Sequence, residues 1–124
     1  MAQRYKTNAA KPLGTFMMES SRLAEAIILR LGGENVLAQI GALEFFSDGT
    51  RVSFKLNHWN PKGVRSVIIS TQPRGFFSMQ CYSEIVPGTL TAPLIGTAQQ
   101  IIPENLATVF CDLTGIESIR HRHF

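Results

Sequence analysis

An Asp48-Gly49 pair between two alternating segments is the feature that most constrains the fold of this chain. Asp-Gly readily adopts the positive φ angles of a tight hairpin turn, and the segments Ala42–Phe46 and Arg51–Asn57 flank it. Side chains alternate between the two faces of a strand. In the second segment, Val52, Phe54 and Leu56 lie on one face, and Arg51, Ser53 and Lys55 lie on the other. The sequence therefore predicts an antiparallel hairpin with one buried face.

A helix is predicted before this hairpin and another near the end of the chain. The first begins near Ser20 or Ser21, and Gly32-Gly33 ends it in a left-handed stop. Residues 34–41 fit either a short helical turn or a strand. The last helix starts at Pro103 and ends at Gly115. The predicted apolar stripes are Leu23, Ala26, Ile27 and Leu31, with Arg30 at the edge, in the first helix, and Leu106, Val109, Phe110 and Leu113 in the last.

Two further strands are predicted between the hairpin and the last helix, over Val64–Thr71 and Phe76–Tyr82. A loop over His58–Gly63 precedes the first of them, because Asn60-Pro61 and Gly63 break regular structure. Residues 85–103 carry no charge and contain three prolines, which argues against a helix there. This uncharged 85–103 segment is interpreted as a long connection, with or without one short strand.

The order of elements predicts an α+β fold, since strands joined by short turns form an antiparallel meander. We expect about four strands, with the N-terminal and C-terminal helices packed on one face. At 124 residues, with 44% hydrophobic and 17% charged residues, the chain fits one folded domain. The expected organisation is a flexible basic arm over residues 1–18, the domain over 19–116, and a basic tail over 117–124.

The charge of the chain is unevenly distributed, although its net value is only +3. Residues 51–83 contain five cations and no acid. If these cations share a sheet face with Phe76 or Tyr82, phosphates would meet the cations and bases would stack on rings, as in proteins that bind single-stranded nucleic acid. An alternative is that this segment is only a solvated face that keeps the protein soluble. The candidate phosphate-binding residues are Arg51, Lys55, Lys62, Arg65 and Arg74, and the candidate base-stacking residue is Trp59.

A second hypothesis is a protein–protein interaction module or homodimer. It would use the open sheet face and the uncharged 85–103 segment, with no role in nucleic-acid binding. Symmetric dimers are the commonest closed assemblies, and the candidate interface residues are Leu90, Leu94 and Ile95. A third hypothesis is a small-molecule or enzymatic pocket in which His58, Tyr82 and Glu84 converge.

No motif in the sequence indicates catalysis, a cofactor or a metal. The glycines form no phosphate-binding loop, and the carboxylates are scattered. His121 and His123 could face one way on a strand, but no further ligand is placed near them. Cys81 and Cys111 lie in apolar segments and are expected to be buried and reduced in a cytoplasmic protein, with a disulfide between them as the alternative. The sequence shows neither a signal peptide nor an apolar run long enough to cross a membrane.

Several short motifs occur here in an order that resembles a family of small α+β proteins encoded by phages, prophages and plasmids. Over about residues 28–116, the chain has Leu31-Gly32-Gly33, Gly41-Ala42, Ser53-Phe54-Lys55 and Thr114-Gly115-Ile116. The family pattern runs LGG, GA, SFK and TGL. The chain departs from this pattern at Gln72–Gly75 and in the proline-rich residues 85–95. The resemblance implies the topology and an origin in a mobile element. It implies no catalytic residue.

Overall fold

The computed structural model describes residues 18–117, which form three α-helices and five β-strands. The predicted arm before Met18 and the predicted tail after Glu117, with His121 and His123, lie outside this range. Two short 3₁₀ turns occur as well, at Pro73–Gly75 and at Pro103–Asn105. In chain order the elements are α1 (Met18–Arg30), α2 (Glu34–Gln39), β1 (Ala42–Ser47), β2 (Arg51–Leu56), β3 (Ser66–Thr71), β4 (Phe77–Tyr82), β5 (Leu94–Ile101) and α3 (Leu106–Thr114).

The five strands form one antiparallel sheet in the order β1-β2-β3-β4-β5. The α+β class and the meander are as predicted, but the expected number of about four strands was wrong. The additional strand is β5, which spans eight residues of the uncharged 85–103 segment. Its prolines do not prevent strand formation, because Pro87 and Pro93 precede β5 and Pro103 follows it.

The hydrophobic core lies against one face of the sheet, here called the inner face. Val52, Phe54 and Leu56 of β2 are buried on it, as their alternation predicts. The ring of Phe54 stacks on Phe45 with centroids 4.9 Å apart and lies 6.1 Å from the ring of Phe110 in α3. The other buried members of this cluster include Val67, Ile69, Met79 and Cys81 of the sheet, Ala24, Ile27, Ile28 and Leu31 of α1, Val36 and Leu37 of α2, and Leu106, Ala107 and Cys111 of α3.

The first helix differs from its prediction in its start and in its buried stripe. Its described part starts at Met18, before the predicted Ser20 or Ser21. Ala26 is exposed, whereas Ala24 and Ile28 are buried beside the predicted Ile27 and Leu31. The buried stripe is therefore displaced toward Ala24 and Ile28, because four apolar residues in a row leave the choice of face to tertiary packing.

The ambiguous residues 34–41 form the short helix α2, followed by a turn at Gly41. The last helix ends as predicted at Gly115, which adopts φ +78°. The third strand starts at Ser66 rather than Val64, because the N–H of Val64 donates to the side-chain oxygen of Asn60 in the preceding loop and not to a neighbouring strand. Among residues 18–117, none of the helices has the length and apolar character needed to cross a bilayer.

Candidate nucleic-acid interface

The candidate cations lie in and around the sheet face opposite the core, here called the outer face. Strand register places Lys55 beside Ser66, and Ser66 beside Tyr82. A second cross-strand row joins Ser53 to Ile68 and Gln80. None of the outer-face residues of β2, β3 and β4 is buried: these are Arg51, Ser53, Lys55, Ser66, Ile68, Ser70, Ser78, Gln80 and Tyr82. On these three strands the outer face is therefore mostly polar, with Tyr82 in the Lys55 row, whereas the edge strands add Leu43, Phe46 and Leu94 to the same face.

Arg51 lies at the end of the outer face that adjoins the β1–β2 turn, and it is paired with an acid. Its Nη2 is 3.2 Å from Oδ2 of Asp48. Oδ1 of Asp48 accepts the backbone N–H groups of Thr50 and Arg51 at 3.1 and 2.9 Å. These backbone hydrogen bonds, helped by the Arg51 guanidinium, lower the pKa of Asp48 to about 2. Asp48 thus organises the turn and neutralises Arg51.

Lys55 lies four residues further along β2, about 13 Å away at the usual strand rise. Its Nζ is 3.4 Å from Oε1 of Glu44 on β1. Glu44 has φ +56° and lies at an irregularity in the β1–β2 pairing. Because both side chains are exposed, this ion pair is weak and can exchange for a phosphate.

Arg65 and Arg74 lie apart from the Arg51–Lys55 row. By alternation Arg65 has the same parity as Val67, so it does not share the outer face with Lys55. Its Nη1 instead donates to the carbonyl oxygens of Leu56 and Asn57, at 3.3 and 3.5 Å. Arg74 is exposed in the β3–β4 turn with φ +66°, at the Arg51 end of the sheet. Neither makes an ion pair within residues 18–117.

The loop between β2 and β3, residues 57–65, is held firmly on the domain. The buried side chain of Asn60 donates to the carbonyl of Val64 and accepts its N–H, both at 2.8 Å. The N–H of Lys62 donates to the carbonyl of Thr114 at 3.2 Å. A Cβ on Gly115 would lie 2.8 Å from Pro61, so the loop packs directly on the end of α3.

The other side of this loop packs on the turn after α2. His58 lies so close to Gly41 that an added Cβ there would be 2.6 Å from the imidazole. Nδ1 of His58 is 3.2 Å from the carbonyl oxygen of Gln39, and the N–H of Asn57 donates to the carbonyl of Gly41 at 2.8 Å. His58 therefore packs against the turn after α2. A pocket formed by His58, Tyr82 and Glu84 stays a prediction.

Trp59 is presented to solvent between these two anchored neighbours. Its side chain is 79% exposed, although His58 and Asn60 on either side are fixed. Lys62 is exposed in the same loop, and the N–H of Arg65 donates to the carbonyl of Tyr82 at 2.7 Å. Of the six predicted residues, Lys55, Trp59, Lys62 and Arg65 thus belong to the loop end of the sheet, where Lys55 is on the outer face and Arg65 is not, whereas Arg51 and Arg74 lie at the opposite end.

The predicted interface residues lie on the β4–β5 hairpin, with Leu90 in the connection and Leu94 and Ile95 at the start of β5. Leu90, at its tip, is 98% exposed, and Leu94 and Ile95 are also exposed. Two backbone hydrogen bonds close the hairpin, from Ser83 N–H to Pro93 and from Val86 N–H to Thr91, at 2.9 and 3.0 Å. The hairpin is thus an ordered projection with apolar side chains in solvent.

Within residues 18–117, no cluster of three or more His, Cys, Asp or Glu side chains has the arrangement of a metal site. Cys81 and Cys111 are buried and are not joined by a disulfide, as predicted. Burial raises the pKa of Cys81 to about 12, so its thiol is protonated at neutral pH.

No protein-family model matches the chain, and no curated protein or solved structure is significantly similar to it. The resemblance to phage- and plasmid-encoded proteins stays a prediction.

Proposed function

We propose that this protein is a non-enzymatic binding module for single-stranded nucleic acid, acting through the loop end of its sheet. The observation that supports this most strongly is Trp59, an exposed ring on a loop whose neighbours are fixed. Because the residues on both sides of Trp59 are anchored, the backbone that carries the ring has little conformational freedom left to lose when a base stacks on it. Base–aromatic stacking contributes about 1–3 kcal/mol per base.

The cations around Trp59 supply the phosphate contacts of the proposed site. Lys62 and Arg65 make no ion pair within the described residues, and Lys55 has only the exposed pair with Glu44. We infer that the helices cover only the inner face, so a strand of nucleic acid can continue from the loop toward Tyr82. A cytoplasmic location and an origin in a mobile element belong to the same proposal.

The single tryptophan of the chain allows a direct test, because its fluorescence reports Trp59 alone. Titration with a thymidine oligonucleotide at low salt should quench this emission to a plateau. Three cations that each neutralise one phosphate should give a slope of about −2 in log affinity against log salt. An absence of quenching and binding at low salt, or a flat response to salt, would contradict the proposal.

Variants locate the contact when binding is followed by anisotropy of a labelled oligonucleotide. Trp59→Ala should weaken binding by about tenfold or more, whereas Leu29→Ala, an exposed apolar residue on α1, should leave it unchanged. Lys62→Gln should reduce the salt slope by about 0.7. Arg22→Gln removes an equal charge from the exposed side of α1 and should have little effect.

A further inference from the structure

The outer edge of β5 is an unpaired strand edge within residues 18–117, since β4 is its only neighbour in the sheet. The backbone N–H and C=O groups along such an edge form a template for another strand. The opposite edge, β1, is interrupted by the irregular and charged Glu44. Strand β5 is also irregular at its two ends, but it has no charged residue, so it lacks the protection that a charge gives.

The surface next to this edge is apolar and uncharged. The side chains of the β4–β5 hairpin project into solvent beside the strand, and Leu90 exposes nearly all of its area. No charged residue occurs between Glu84 and Glu104. The exposed large apolar residues along this surface are Ile85, Val86, Leu90, Leu94, Ile95 and Ile102.

We propose that the occupant of this surface is a second copy of the chain, joined by antiparallel pairing of two β5 strands. Each chain carries a net charge of +3, so two copies that met through their basic surfaces would repel each other. The β5 surface has no charged residue, so two copies can meet there without this repulsion. Antiparallel pairing of identical strands is two-fold symmetric, so the assembly closes as a dimer. Each five-stranded sheet then continues into a ten-stranded one.

The register of β5 indicates where the two-fold axis lies. Pairing with β4 is regular over Gly96–Ala98 and shifts on either side, near Ile95 and near Gln99-Gln100. With the axis near Thr97, a residue that precedes Thr97 in one copy pairs with the residue that follows Thr97 by the same number of positions in the other copy. Ala92 then lies opposite Ile102 of the partner subunit, so the apolar hairpin of each copy covers the exposed Ile102 of the other. The irregularities limit the backbone pairing to a short segment, and the hairpins complete the interface.

The mass of the full chain in solution, measured by light scattering without nucleic acid, tests this dimer. We expect twice the 13.7 kDa of one chain. Thr97→Lys places like charges at the axis and should halve the mass, whereas Thr108→Lys, on an exposed position of α3, should leave a dimer. Leu90→Asp should also dissociate the dimer, and Leu29→Asp on α1 should not.

Hydrogen exchange gives a second measurement that does not depend on the variants being well folded. In the wild-type protein, the outward amides of β5 should gain protection as the protein concentration rises. A wild-type mass of one chain at every concentration would overturn the proposal, as would a dimer that both Thr97→Lys and Leu90→Asp leave intact. Neither result bears on the oligonucleotide titration, which follows Trp59 at the other surface.

Discussion

At the scale of single residues, Asp48 connects charge to the stability of the β1–β2 turn. Its carboxylate accepts two backbone N–H groups and pairs with Arg51. Because the folded pKa is about 2 and the ordinary value is 3.8, the ionised form favours the folded state. This stabilisation is complete above pH 4 and is lost as the pH falls through 2.

The Asp48→Asn variant isolates this contribution, since it keeps the shape of the side chain and removes its charge. We expect a lower thermal midpoint than wild type at pH 6, with a difference that shrinks as the pH falls from 4 toward 2. Glu84→Gln, at an exposed position, serves as the control and should show little difference at any pH. A constant difference between Asp48→Asn and wild type across this range would mean that the charge of Asp48 does not act through its lowered pKa.

At the scale of elements, the contact between Gly41 and His58 fixes the loop that carries Trp59. Alanine at position 41, where φ is +84°, would be strained and would also lie 2.8 Å from the backbone nitrogen of His58. Gly75 has nearly the same φ, +82°, with open space around its Cβ position. Gly41→Ala should therefore destabilise the protein by about 1–3 kcal/mol more than Gly75→Ala, because only the former forces packed atoms apart.

Urea denaturation of the two variants measures this difference. The oligonucleotide titration of Gly41→Ala adds a functional measurement, because a displaced loop should also weaken binding at temperatures where the domain is folded. Equal free energies of unfolding for Gly41→Ala and Gly75→Ala would show that the loop moves away from residue 41 without loss of stability. The loop would then not hold Trp59 firmly.

Local chemistry explains which of these elements could be predicted from the sequence. The β1–β2 hairpin follows from Asp48-Gly49 and from alternation in β2, which depend only on neighbouring residues. Strand β5 has no such alternation of apolar and polar residues, since its half-buried positions are the small Gly96 and Ala98 and its exposed positions include Leu94 and Ile95. The start of β3 at Ser66 depends on the bond between Asn60 and Val64, and Asn60-Pro61 indicated only a loop.

The candidate site was predictable in its residue types and not in its arrangement. An acid-free segment from Arg51 to Tyr82 was visible, but its cations are divided between two ends of the sheet. The pairing of Lys55 with Glu44 arises from register on a neighbouring strand. The exposure of Trp59 arises from anchors on α2 and α3, which are distant in sequence. No local pattern contains this information.

At the scale of the whole molecule, the two buried thiols report whether the domain unfolds as one unit. Cys81 lies on β4 and Cys111 on α3, and both belong to the single hydrophobic cluster. The pKa of Cys81 is raised to about 12, and both thiols are buried, so neither reacts in the folded state. Alkylation of either cysteine therefore requires the core to open.

Because the same cluster holds β4 and α3, we expect iodoacetamide to label Cys81 and Cys111 at the same slow rate, after correction for their rates in the unfolded chain. Mass spectrometry of peptides from a timed reaction at pH 8 measures both rates, and urea should accelerate them together. Faster labelling of Cys111 would show that α3 detaches while the sheet persists. That outcome would also release Thr114 and Gly115 from the loop carrying Trp59, so the fluorescence of Trp59 would then change before the sheet unfolds.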